Sequence, residues 1–386
     1  MKTIAYVLTD FPVLSETFIG NEIRAMEKRG HRIVPIVFSL RDGPAQPEDR
    51  AIAERAVRLA AIGADKALNV IPHAWRGLGF TLRQQRLPRR SLLWNGMKIA
   101  GLAQAERCDH IHAHFAGGGA AHALVAGQIA GLPVSFTCHG HDVYAEPEDL
   151  EAKLAAADRV VAVCDDLEQD LRAMRKDANV ARIACGTDPD KFTPRPAGTP
   201  DNGRLLFVGR LVEQKGIDDL LAALRLIGDD MPVQIDIVGD GPLRDAIALK
   251  ADAIGEEGTH IVSLLGAKDA HWLKREVPAY RAVCLPFKTA SDGSRDTGPL
   301  VVKEAMAMGL PVISTAYMGV KETVTRETGI LVPPGDPLAL AEAIRVVNAM
   351  PREMREAMGA AGRRRVVGQF TLSRQAKALS AMVEAA

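Results

Sequence analysis

Residues 292–315 read Asp-Gly-Ser-Arg-Asp-Thr-Gly-Pro-Leu-Val-Val-Lys-Glu-Ala-Met-Ala-Met-Gly-Leu-Pro-Val-Ile-Ser-Thr. Two carboxylates, Asp296 and Glu304, stand eight positions apart. Between them Thr297, Gly298 and Pro299 form a turn that opens an apolar helix. Gly309 ends that helix, and Pro311 leads into a buried strand. Such a loop–helix–strand unit is ordinary in an α/β domain. It also suits a nucleotide sugar: the helix N-terminus faces a diphosphate, a carboxylate within the helix accepts ribose hydroxyls, and one before it accepts sugar hydroxyls.

The pattern around this stretch is uniform. Short apolar strands are expected at 3–8, 32–38, 109–114, 133–137, 159–163 and 181–184. A second set is expected at 204–209, 233–238, 260–264, 281–286, 311–314 and 329–332. Helical patterns fall between them, notably at 16–29, 118–130, 166–175, 216–226, 242–253, 299–308 and 336–349. Continuous apolar strands separated by helices predict parallel sheets covered on both faces. The Pro/Gly-rich segment 193–203 reads as a linker between two doubly wound halves. The expected division is 1–195, 196–366 and a terminal helix at 367–386. Ligands of such folds sit beyond the carboxyl ends of the strands, so a cleft between the halves is the expected site.

Composition narrows the class. A chain of 386 residues is long for one core and comfortable for two. Formal net charge is zero, with four Tyr and three Trp, which argues against nucleic acid as a partner. The five cysteines are scattered without a C-x-x-C pair and read as small apolar residues of a reducing, cytoplasmic setting. The first ten residues read as a β-strand rather than a signal peptide, and no run of 18 apolar residues is present.

Several segments carry candidate chemistry. Phe207–Gly216 ends a strand, turns and opens a helix, placing Arg210 and Lys215 where two cations can neutralise a diphosphate; solvated loop cations are the plain alternative. Gly239 lies in a Gly-Asp-Gly-Pro turn that permits close backbone approach, and Leu265 precedes Gly266 at the end of the next strand. Thr137–Asp142 follows a buried strand and offers His139 and His141. His110, His112 and His114 alternate on one face of a strand. They invite a metal site, but no closing ligand follows, so buried or cleft-wall histidines are expected for His110 and His112. Gly117–Gly119 reads as a tight strand-to-helix turn. Ser15 or Thr17 can cap the first helix.

These segments resemble the retaining, GT-B fold glycosyltransferases of family 4, over about residues 3–350. The acid-x7-acid signature carries Glu at both ends in that family; here the first is Asp296, one methylene shorter. Gly209–Gly216 resembles the pattern G-R-x-x-x-x-K-G, and Thr137–His139 resembles the family's Thr-x-His segment. Leu14–Ile19, Leu-Ser-Glu-Thr-Phe-Ile, resembles bacterial exopolysaccharide and colanic-acid type members, and Cys185–Phe192 resembles the family's hinge segment. The resemblance implies a nucleotide-sugar donor, UDP- or GDP-linked, and a glycan or lipid-linked acceptor. It implies Arg210 and Lys215 on the phosphates, Glu304 on the ribose, and Asp296 with Thr297 and Gly298 on the sugar. It also implies His139 near the reacting carbon, and Gly239 and Leu265 near the base. No metal cofactor is expected, since the two cations neutralise the phosphates. A nucleotide-sugar epimerase or hydrolase, or a donor-binding subunit inactivated through Asp296, remain as other readings of the same frame.

One segment stands outside that frame. From Lys66 to Ala105 there is no acidic residue, while Lys66, Arg76, Arg83, Arg86, Arg89, Arg90 and Lys98 are cationic. Trp75, Phe80, Leu82, Leu92, Leu93 and Trp94 are interleaved. Cations with aromatic and leucine anchors suit an anionic membrane surface, at the inner face of the plasma membrane; a basic surface helix packing its apolar residues inward is the other reading.

Overall fold

The computed structural model describes residues 1–43, 45–196 and 198–386. The chain forms two compact units, Met1–Ala184 with Leu372–Ala386, and Cys185–Thr371. In the first, seven parallel strands run β1 Thr3–Phe11, β2 Arg32–Leu40, β3 Val57–Arg58, β4 His110–His114, β5 Val134–Cys138, β6 Arg159–Ala162 and β7 Val180–Arg182. Their order in the sheet is β3-β2-β1-β4-β5-β6-β7. In the second, β8 Leu205–Val208, β9 Gln234–Val238, β10 Ile261–Gly266, β11 Ala282–Leu285, β12 Val312–Thr315 and β13 Gly329–Val332 pair in the order β10-β9-β8-β11-β12-β13. This is the doubly wound α/β class expected. β4, β5, β11 and β12 are buried throughout, and β1 from Ile4 to Leu8, which is why they read as unbroken apolar or histidine-bearing runs. The two-residue β3, on the edge beside β2, is too short to leave a periodic signal.

Each sheet reverses direction once, between β1 and β4 and between β8 and β11. The loops leaving these strands diverge to opposite faces and open a crevice at the carboxyl ends. Phe11 and His114 stand at the first reversal, and Gly209 and Leu285 at the second.

The border between units falls at Ala184/Cys185, ahead of the Pro/Gly-rich segment that reads as a linker. The reason is polar anchoring. The buried Lys303 ammonium donates to the Cys185 carbonyl at 2.7 Å. Thr187 bridges Thr371, and Arg363 donates to the carbonyls of Pro189 and Phe192. Arg195 donates to Pro278, and Arg355 pairs with Asp201. Residues 185–203 are thereby tied along the second unit; Ala197 of that segment lies outside the described residues. The helix Leu372–Glu384 belongs with the first unit, where Ser380 meets His31 at 2.8 Å and Gln375 meets Glu22 at 2.8 Å. All five cysteines are buried and none is in a disulfide, as their scatter implied. No helix among the described residues is long and apolar enough to cross a membrane.

The basic helix Arg352–Gln369 packs at Gly359, where an added Cβ would lie 1.8 Å from the Gly309 carbonyl oxygen. At Gly368 of the same helix it would meet nothing within 4 Å. Gly359→Ala should therefore cost about 2 kcal/mol despite its better helix propensity, while Gly368→Ala should be neutral or gain up to about 1 kcal/mol. Urea denaturation checks both; a stabilised Gly359→Ala would contradict the close packing.

Candidate functional site

The second unit gathers its candidate residues around β8. The Gly209 amide donates to the Val238 carbonyl and the Gly239 amide to the Gly266 carbonyl, each at 3.0 Å, which lashes together the ends of β8, β9 and β10. Gly239 has φ 149°, and a Cβ there would stand 1.8 Å from the Gly209 oxygen. Its freedom is thus spent first on protein backbone. Leu265 is half-buried at a register shift of β10.

Beyond β8, Arg210 is exposed. Among the described residues its guanidinium makes no hydrogen bond or ion pair. Lys215 lies on the short turn Glu213–Lys215, closed by Gly216 in the left-handed region at φ 68°. Its ammonium sits 5.2 Å from the centre of the Phe287 ring and forms an ion pair with Asp296. Spacing gave no sign of that pair, since the partners are 81 positions apart. It joins the expected phosphate ligand to the expected sugar ligand, so their charges cancel and Arg210 is left as the uncompensated cation of the three.

Asp296 leads into buried Thr297, whose carbonyl accepts from the Gly319 amide at 3.0 Å. Gly298 and Pro299 then open the helix Leu300–Ala307. One turn in, Lys303 and Glu304 diverge. Lys303 points into the unit toward Cys185. Glu304 stays half-buried and, among the described residues, its carboxylate has no hydrogen bond or salt bridge. Burial raises its pKa to about 7, with only the Lys274 charge opposing. A carboxylate without hydrogen bond or ion pair among the described residues, one turn into a helix, is a group prepared for hydroxyl donors.

The first unit gathers its own set at the reversal between β1 and β4. His139 follows β5 and is half-buried between the rings of Phe18 and Phe115, with centroids 4.5 and 4.6 Å away. Its amide donates to Asp142 Oδ1 at 3.0 Å, and the Ala116 amide donates to Asp142 Oδ2 at 2.7 Å. Asp142 thus fixes both loops at once; burial raises its carboxyl to about 6 against these amide bonds. Burial also lowers the His139 imidazole well below the usual range, with His114 adding to the effect. His141 is exposed, 3.6 Å from Glu146.

His110 and His112 are fully buried, as expected, and share the Ser135 hydroxyl at 2.7 Å each. Burial lowers both imidazoles to about 3. Sequence reasoning missed Glu22. It lies on the helix Thr17–Lys28 within the buried face of Ile19, Ile23 and Met26, and a carboxylate in that apolar stripe was the available signal. Ligand atoms of Glu22, His112 and His114 lie within 4.8 Å of one another, a spacing open to a metal. Each is already engaged: Glu22 Oε1 with Tyr6 and His114, both at 3.0 Å, and His112 Nε2 with the Thr137 hydroxyl at 3.2 Å. Gly117–Gly119 forms the turn into the helix Gly118–Ala130.

The basic segment 66–105 divides its apolar residues. Phe80 and Leu92 are buried, at 3% and 1% exposure, so inward packing holds for these two. Trp75 is 66% and Leu82 60% exposed, with Leu68, Ile71, Leu78 and Trp94 exposed as well. Arg76, Arg83, Arg86, Arg89 and Arg90 are exposed among them. The segment's helices, including Arg89–Ala105, cover the buried helix Gly118–Ala130; a Cβ at Gly96 would strike Val125.

Comparison with known proteins matches both units. Residues 15–191 match the family model Glycosyltransferase Family 4, and residues 202–348 match Glycosyl transferases group 1. A Salmonella typhimurium protein named as a colanic acid biosynthesis glycosyltransferase is 26% identical over 95% of this chain and 96% of its own. A Bacillus subtilis protein named as a teichuronic acid biosynthesis glycosyltransferase is 32% identical over 61% of this chain and 60% of its own. The crystal structure of Anabaena HepE in complex with UDP-glucose superimposes with a TM-score of 0.74 at 17% identity, covering 100% of both chains. That likeness gives the fold, the GT-B arrangement of two Rossmann-like units.

The unpartnered Glu304 sets a pH signature. Its folded pKa lies above the ordinary carboxyl value of 4.5, so the folded chain holds the proton more tightly than the unfolded chain. The associated stability is full below about pH 4.5 and is lost as pH rises through about 7. Glu304→Gln should therefore gain about 1–2 kcal/mol over the native chain between pH 5 and 8, once the side chain's partial exposure is discounted. A difference that stays constant across this range in urea titrations contradicts the unpartnered carboxyl.

Proposed function

Because the chain belongs to the glycosyltransferases matched on its two halves, group 1 and family 4, we propose a specific reaction. It transfers a hexosyl group, with retention, from a UDP- or GDP-sugar to a glycan or lipid-linked acceptor in polysaccharide or glycolipid synthesis. The observation that carries this reading is the Glu304 carboxylate, without a hydrogen bond or salt bridge among the described residues, on the helix whose N-terminus follows Asp296 and Thr297. The names of the colanic and teichuronic acid relatives support the polysaccharide setting, and the UDP-glucose complex of HepE supports the donor class.

In this reading Glu304 accepts both ribose hydroxyls, and the helix N-terminus faces the diphosphate. Arg210 meets the phosphates directly. Lys215 does so while held by Asp296, which orients it. Asp296, with the backbone at Thr297 and Gly298, takes sugar hydroxyls, while Gly239 and Leu265 border the base. His139, on the first unit, contacts the donor sugar. The bond from the anomeric carbon to the phosphate oxygen breaks as the acceptor oxygen bonds on the same face, and the acceptor proton passes to the departing phosphate. Negative charge grows on that diphosphate, and the two cations stabilise it without a divalent metal.

A thermal-shift panel of UDP-, GDP- and ADP-sugars identifies the donor by its rise in melting temperature. Glu304→Ala should then weaken binding of that nucleotide by about 2–4 kcal/mol while the fold survives. Native affinity in the variant removes the ribose role. Transfer abolished by EDTA and restored by magnesium removes the metal-free reading, and release of free sugar without any acceptor favours a hydrolase.

We also propose that the exposed face carrying Trp75, Leu78, Leu82 and Trp94 with Arg76, Arg83, Arg86, Arg89 and Arg90 docks on an anionic membrane surface, at the cytoplasmic leaflet. Charge complementarity supports it, each cation near such a surface contributing roughly 1 kcal/mol. Vesicles of phosphatidylglycerol and phosphatidylcholine should sediment the protein at low salt, and phosphatidylcholine alone should not. An Arg86/Arg89/Arg90 to Glu variant that sediments like the native chain would overturn the assignment.

A further inference from the structure

One strained residue stands beside His139. Phe115 is the first residue after β4, and its φ of 65° lies in the left-handed region, which is rare for a bulky side chain. A glycine would turn there without strain, and three of the next four residues are glycines. None of Gly117, Gly118 and Gly119 has a positive φ. The turn thus carries phenylalanine where the backbone favours glycine, and its half-buried ring lies 4.6 Å from the His139 ring. Such conformations persist where the surroundings over-determine them, and they gather at functional sites.

The surroundings here are backbone grips whose direction chemistry fixes, since an amide N–H only donates and a carbonyl only accepts. The Phe115 amide donates to the Thr137 carbonyl at 2.9 Å. The Ala116 amide donates to Asp142 Oδ2 at 2.7 Å, and the His139 amide donates to Asp142 Oδ1 at 3.0 Å. On its other side, the Ala116 carbonyl accepts from Lys153 Nζ at 2.6 Å. Lys153 is fully buried on the helix Leu150–Ala156, and its Nζ also donates to the Glu148 carbonyl. A lysine amine donates to carbonyls in either protonation state, so this grip does not depend on its charge. A methionine would fill similar space with no amine to desolvate. The presence of lysine therefore points to these two carbonyls.

We propose that Lys153 and Asp142 are positioning residues. Together they hold Ala116 by both its polar groups, keep Phe115 in its left-handed conformation, and so fix the ring against which His139 rests. The grip stands on the geometry of the first unit alone. Its use in glycosyl transfer rests on the reading above that His139 contacts the donor sugar.

Lys153→Met and Phe115→Leu, singly and together, test it. Proton–carbon correlation spectra report the histidine rings, with His139→Gln assigning the His139 signals. Phe115→Leu should remove the ring-current shift that Phe115 imposes on His139. Lys153→Met should move the His139 signals in the same direction and leave those of His110, at the start of β4, in place. UDP affinity, read by calorimetry, should stay within about twofold in every variant. With the donor found by thermal shift, kcat for transfer should fall about 10–100-fold, the scale of a misplacement of about 1 Å at a reacting group. Because Lys153 acts through Phe115, the double variant should be no slower than the slower single one. Unmoved His139 signals in Lys153→Met, or losses that multiply in the double variant, overturn the proposal. If Lys153→Met fails to fold, Asp142→Asn, which sets an NH2 group against one of the two amides, is read in the same way. If the His139 signals move and UDP still binds while kcat is unchanged, the reading of His139 in transfer fails and the grip stands.

Discussion

Parallel pairing at two strand reversals is the constraint on which the rest depends. β1 pairs with both β2 and β4, and β8 with both β9 and β11. The loops that leave these central strands must therefore part to opposite faces of their sheets. What lies between is a crevice floored by strand ends, and most of the chemistry described here stands on such ends. The price is polar backbone at the crevice floor, and the chain meets it in two ways. In the second unit, amide bonds between neighbouring strand ends lash Gly209 to Val238 and Gly239 to Gly266. In the first, one buried carboxylate, Asp142, accepts the amides of Ala116 and His139.

The two crevices differ in how they handle charge. The second holds an ion pair, an exposed guanidinium and a lone carboxylate, all on loops or at a helix start. Its electrostatics are unfinished, and the raised Glu304 pKa is the direct sign of that. The first is closed: His114, His139, Glu22 and Tyr6 are joined by hydrogen bonds beside the Phe18 and Phe115 rings. A site that binds a dianion and releases it benefits from the open kind. One that must hold a ring in a fixed protonation state benefits from the closed kind.

Sequence legibility followed the length scale of each interaction. Strand and helix positions were readable because alternation of apolar runs is local, and twelve of the thirteen strands among the described residues needed no tertiary information beyond burial; the edge pair Val57–Arg58 left no period to read. Arg210, Lys215, Asp296 and Glu304 were readable as residue types at turns. Their relations were not. Lys215 and Asp296 neutralise one another across 81 positions, and nothing in either turn announces it. Glu22 was overlooked for a related reason: its partners Tyr6, His114 and Gln375 come from a strand before it, a strand long after it, and the terminal helix. A charged residue on the buried stripe of a helix was the one local trace it left.

The helix Leu300–Ala307 shows how structure and chemistry share one element. Lys303 and Glu304 are adjacent, so they point about 100° apart around the axis. Lys303 turns inward, where its ammonium meets the Cys185 carbonyl and lies 5.4 Å from the centre of the Phe370 ring. That contact ties the segment where the second unit begins, and the ring lies near the point where that unit ends. Glu304 turns the other way, and among the described residues its carboxylate has no hydrogen bond or salt bridge. The inward cation fixes the rotation of the helix about its axis. That rotation in turn fixes where the free carboxylate stands relative to the turn at Thr297 and Gly298. A helix anchored only by Val302, Ala305 and Met306 could roll within its apolar contacts; a buried ammonium bound to a specific carbonyl could not. The placement of Glu304 is therefore a consequence of its neighbour, and the order of the two residues in the sequence carries that information.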